Sequence, residues 1–324
     1  MVSAADSGGL RVGRGSARVL QLTPSQIVDA FSLLLGQNSC PGEIKYSRNS
    51  VIRAVREAFP CQAAVQSVLL AERGVRGFEQ PLEGEAGFFR LFAAGRYDAS
   101  TLFQNLGEHY WIEQLSFKKW PCCRGAHACI EAAQTLRRRH GLHADQVARV
   151  RAKGDELLRM LYEPTAQKRA PRTLIDAKFS LPFAIAAALI HDEVTLGSFT
   201  QETLGDTGLL ALAARVEFDS FDDGNVRGAA ACDLSIELTD ARVLHHQVTQ
   251  ALVGPDRPLD DSELEAKFRD CAERAAVPLR AAQSRQLAER LWSLEREPDV
   301  GALLTSTLRP TGSDRPAMRP AGGR

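Results

Sequence analysis

Apolar residues along the chain change their repeat twice, and the changes mark out its organisation. Residues 1–16 carry no apolar periodicity and read as a flexible arm rich in Gly, Ser, Ala and Arg. Helical spacing begins after Thr23-Pro24, where Thr23 suits an N-cap and Pro24 the first helical position. Ile27, Ala30, Phe31 and Leu34 follow at that spacing. After a polar break over 36–48, a second helical segment over 50–73 is dense in apolar residues (Ala63, Ala64, Val65, Val68, Leu69, Leu70) and reads as a buried helix that stops at Gly74. The Gly- and Phe-rich stretch 77–95 predicts a turn feeding a short helix.

The period then shortens to two. Ala148, Val150 and Ala152 alternate with basic residues. Ala214, Val216 and Phe218 alternate with charged ones, and so do Cys232, Leu234, Ile236 and Leu238 with polar ones. Each pattern predicts a strand with one buried face. Asp240-Ala241 predicts a hairpin to a further strand over 243–248. Helices are expected after His127, over 130–139, and from Ser180 to Ile190, with Ser180 as cap. Helical spacing returns over 262–294, where Ser262 and Glu265 have capping-box spacing. The tail 309–324 offers little to bury and is expected to be unstructured. Helical, mixed and helical stretches in that order predict a mainly α chain with an α+β insert carrying antiparallel strands.

Composition narrows the class. Hydrophobic residues make up 44% and charged residues 25%, with Lys+Arg and Asp+Glu both 40. That mix is globular, and a formal net charge of zero gives no reason to expect nucleic acid or an anionic membrane as partner. The apolar run 181–190 is about half the length a bilayer requires. Seven cysteines lie without CxxC spacing, and Cys122 and Cys123 are adjacent, which predicts reduced thiols in the cytoplasm rather than a zinc site. His245 and His246 fall on opposite faces of a strand, and Asp219, Asp222 and Asp223 lack the spacing of a calcium loop, so no metal is expected.

The run Lys118-Lys119-Trp120-Pro121-Cys122-Cys123-Arg124-Gly125-Ala126-His127 concentrates cations around a proline. On its residues alone it reads more readily as a solvated basic loop than as a catalytic one. It is matched by Ala177-Lys178-Phe179-Ser180-Leu181-Pro182-Phe183, by Ala266-Lys267-Phe268-Arg269, and by Leu82-Glu83-Gly84 with Gly87-Phe88-Phe89. Together, over 17–304, these segments resemble the MmgE/PrpD family, which includes 2-methylcitrate dehydratase, cis-aconitate decarboxylase and iminodisuccinate epimerase.

The resemblance implies a homodimer with a helical domain, here 17–112 and 259–308, closed by an α/β lid over 113–258. It implies a small polycarboxylate substrate and no metal or organic cofactor. It also implies that this chain lacks the N-terminal part of the helical domain, including a His- and Asp-rich segment that supplies part of the site. The corresponding activity is dehydration of an acid such as 2-methylcitrate, with decarboxylation or epimerisation as relatives' variants. A non-catalytic member that folds as an oligomer or with a separate N-terminal half is the alternative.

Dehydration needs a base, an acid and cations for the carboxylates. Lys118 is the expected base. Cys123 is either a proton-transfer group or a small buried side chain. His127 either orients a carboxylate or caps the following helix. Arg124 suits bidentate carboxylate binding, and Lys178 either reaches substrate or stays exposed. Arg53 and Arg56, where relatives carry Lys and His, share a helical face and either clamp carboxylates or form a polar face; neither can act as a base.

Overall fold

The structure is a computed structural model that describes residues 4–37, 42–45, 51–191, 193–221, 231–250, 253–254 and 257–308. Two compact units divide the chain, Met1–Trp111 and Ile112–Arg324. The first is helical, with α1 (Ala4–Val19), α2 (Pro24–Leu35) and α3 (Ala58–Glu72) packed on one another.

Residues 4–16, expected as part of an arm, belong to α1. Gly9, Gly13 and Ala17, spaced four apart, form its buried stripe. A Cβ on Gly9 would lie 3.3 Å from Pro60 Cβ, and one on Gly13 3.7 Å from Phe31 Cε1. The glycines that lower helix propensity therefore let α1 lie close against its neighbours. α2 starts as the sequence predicts. Thr23 N–H donates to Gln26 Oε1 (3.0 Å), and Gln26 N–H returns to Thr23 Oγ1 (3.4 Å). The segment expected as one helix over 50–73 is split into Ile52–Val55 and α3. α3 is not buried all round. Ala64, Val68 and Ala71 are inside, while Val65, Leu69 and Leu70 are exposed. A turn then feeds a short helix, Phe88–Ala93.

The second unit is built on a four-stranded sheet of order β2-β1-β3-β4. Its elements in chain order are α4 (His127–His140), β1 (Val147–Gly154), α5 (Leu181–Ile190), α6 (Thr207–Ala214), β2 (Val216–Ser220), β3 (Cys232–Leu238), β4 (Val243–Val248), α7 (Asp261–Glu273) and α8 (Ala281–Trp292). β1 pairs antiparallel with β3 (Val150 opposite Ile236), and β3 with β4 (Ile236 opposite Leu244). β1 and β2 run parallel, with Val150 opposite Val216. The sheet is thus mixed, not antiparallel throughout, because the connection through α5 and α6 is long enough for a crossover.

One sheet face is apolar. Val150, Ala152, Leu234 and Ile236 are buried there beneath α4 and α5, whose Ile130, Leu136, Leu181, Phe183 and Ile185 have no exposed surface. The other face carries ion pairs such as Arg149–Glu217 (3.6 Å) and Arg151–Asp219 (3.4 Å). Ala148, expected on the buried face, is exposed. The β1–β3 register shifts between Val147 and Arg149, which puts Val147 inside instead.

Two further expectations change. Cys129 of α4 and Cys232 of β3 form a disulfide with Cα atoms 5.5 Å apart, since α4 packs directly on the sheet; those two thiols are not reduced. Asp260, not Ser262, caps α7 through a capping box with Glu263. α7 and α8 lie in the Ile112–Arg324 unit. The Asp222–Asp223 turn, most of the polar break over 36–48 and the tail 309–324 lie outside the described residues.

Candidate functional site

The basic run folds as a loop that turns into α4, and its apolar members fix it. Trp120 and Cys122 are each only 3% exposed. The Trp120 carbonyl accepts Cys122 N–H (2.9 Å), and it also accepts the His127 ring N–H from Nε2 (3.1 Å). The two rings meet edge to face at 5.1 Å. Gly125 passes so close to the short helix Glu156–Tyr162 that a Cβ would sit 2.8 Å from Leu157 Cγ. A larger residue there forces the Leu157 and Leu161 side chains to shift.

A second segment is tied to this loop. Cys123 N–H donates to the Lys178 carbonyl at 2.8 Å. Ser180 caps α5 by accepting Phe183 N–H (3.0 Å), and its hydroxyl donates to the Lys168 carbonyl. Lys168 Nζ in turn donates to the Phe179 carbonyl at 2.7 Å. Lys178 is therefore held beside Cys123 by the backbone itself.

The electrostatics show which charges converge. Burial first, then the neighbouring Cys123, pushes the Cys122 thiol up to about 12, while Lys118, Lys178 and Lys267 pull it the other way. Burial first, then Arg124, Lys118 and Lys267, holds His127 down at about 3, against the opposing hydrogen bond to Trp120. Desolvation lowers the Arg124 guanidinium too, with Glu131 opposing. Lys118, Arg124, Lys178 and Lys267 thus act together on one small volume around Cys122 and His127. Such a concentration of cations is suited to an anion with more than one carboxylate.

Of the residues singled out in the sequence, Lys118, Cys123, Arg124, His127 and Lys178 come together in the Ile112–Arg324 unit. Lys118 is exposed, and Cys123, Arg124 and Lys178 are half-buried. His127 is fully buried, its Nε2 is tied to the Trp120 carbonyl, and burial lowers its pKa. Lys119 is ion-paired to Glu263. Arg53 and Arg56 belong to the Met1–Trp111 unit, where Arg56 Nε is 2.8 Å from Glu57 Oε1. Lys267 was not singled out, although its motif was. Four residues after Glu263 on α7, it shares that residue's face, which the Lys119–Glu263 pair turns toward the loop.

The MmgE/PrpD N-terminal domain matches residues 10–100, and the MmgE/PrpD C-terminal domain matches residues 120–294. Cis-aconitate decarboxylase of Homo sapiens is 24% identical over 217 residues, which are 63% of this chain and 43% of that protein. The chain thus spans less than half the length of that curated relative. No described helix is long and apolar enough to cross a membrane. With both family domains matched in order, and the basic run and its partner segments joined in one place, the chain belongs to the MmgE/PrpD family.

Proposed function

We propose that this chain is a lyase acting on a small polycarboxylate, by dehydration of an acid such as 2-methylcitrate, without a metal or organic cofactor. The observation that carries this reading is the convergence of Lys118, Arg124, Lys178 and Lys267 around Cys122 and His127. In the proposed reaction Arg124 and Lys178 hold the carboxylates, and the Lys118 amine takes the proton from the carbon α to one of them. The adjacent C–O bond breaks, and the Cys123 thiol protonates the departing hydroxyl to give water. Exchange with solvent then returns a proton to Cys123 and removes one from Lys118. Arg53 and Arg56 are proposed as additional carboxylate ligands, and a cytoplasmic homodimer as the working form.

Decarboxylation of a related polycarboxylate is the second reading, favoured by the similarity to cis-aconitate decarboxylase. Proton NMR of the purified chain with 2-methylcitrate and, separately, with cis-aconitate separates the two. Loss of water from the first supports dehydratase chemistry, and loss of carbon dioxide from the second supports decarboxylation. Either activity should fall by at least about a hundredfold in Lys118→Ala if that residue is the base. Conversion of neither acid contradicts the lyase reading and leaves a non-catalytic family member.

A further inference from the structure

A cavity of about 200 Å³ lies where the basic loop, α4, the 193–195 turn and α7 meet. We propose that it is a binding site for a small organic carboxylate, held between Arg138 of α4 and Lys267 of α7. The volume is about seven times a water molecule's share of liquid. It has room for an organic acid of a few carbons.

Its walls combine an apolar body with three cations and three acids. Trp120, Pro121, Val194 and Leu259 give it apolar surface. Three acids line it, but two are already compensated. Glu263 is ion-paired to Lys119. Asp270 accepts Arg274 Nε at 2.8 Å and Leu196 N–H at 3.1 Å. Arg138 and Lys267 form no ion pair among the described residues, so two lining cations and one lining acid, Glu193, remain outside those pairs. A carboxylate entering the cavity completes the charge pairing that the protein leaves open.

The site goes beyond the proposed lyase reaction, and binding there requires no turnover. It does adjoin that chemistry. Lys267 belongs to both places, and Trp120, a wall of the cavity, is the residue whose carbonyl and ring are held by His127. An occupant therefore touches the side chain that fixes the basic loop.

Trp120 also provides the readout. In the full chain carrying Trp111→Phe and Trp292→Phe, Trp120 is the remaining tryptophan, and its fluorescence is followed while citrate is added. The expected result is a saturable change. Its apparent affinity should fall about tenfold or more in Arg138→Ala, the loss of one charge-assisted contact. It should fall likewise in Ala266→Leu, which fills the cavity without removing charge, and stay within about twofold in Lys118→Ala. Unchanged melting temperatures establish that the variants fold. No saturable change, or one weakened by Lys118→Ala and not by Arg138→Ala, overturns the proposal. Turnover assays read the Lys118 cluster separately, so retained turnover with no Trp120 response sinks the cavity site alone.

Discussion

With its ring sealed beneath Trp120 and held neutral, His127 has a chemistry set by its surroundings and not by its place in a basic motif. Sequence spacing put it four residues from Cys123 and left open whether it met substrate. Only the packing decides, because burial of an imidazole disfavours its charged form. A pH dependence follows. The folded pKa of about 3 lies below the ordinary 6.5, so between those values the unfolded chain binds a proton that the folded chain does not. Stability should fall as pH drops through that window, by up to about 1.4 kcal/mol per unit from this residue. Urea melts of wild type and His127→Phe from pH 6.5 to 4 check it. The stability difference should shift in favour of the variant on acidification; parallel curves would mean that His127 is charged in the fold.

Elements were legible where a local signal settles them. Thr23-Pro24, Ser180 with Pro182, and the alternation Cys232–Leu238 place α2, α5 and β3 correctly, because caps and a period of two act within a few residues. Elements that depend on a partner were not legible. α1 lacks an apolar stripe and is made by glycines fitting against Pro60 and Phe31. The shift in β1 and its parallel pairing with β2 depend on neighbours remote in sequence. Ser180 belongs to both kinds, as a local cap and as the link to Lys168. Ser180→Ala should therefore cost more than an ordinary cap, about 2 kcal/mol or more in a denaturant melt, since it also removes the hydrogen bond to the Lys168 carbonyl. A loss under about 0.5 kcal/mol would show that the tie between the two segments carries no weight.

For the whole molecule, motif order marked the family, and the structure adds that two of the motif segments meet at the backbone tie from Cys123 to Lys178. The membership of Lys267 was harder to see, because α7 reaches the loop through a pairing of Lys119 with Glu263 that no spacing along the chain encodes. The account rests on these cations forming one anion site. Calorimetric titration of citrate tests that most directly, carried out in the Arg138→Ala background so that the neighbouring cavity is silenced. Binding should weaken about tenfold or more on adding Lys118→Ala, and again on adding Lys178→Ala. An affinity unchanged by both substitutions would contradict the account.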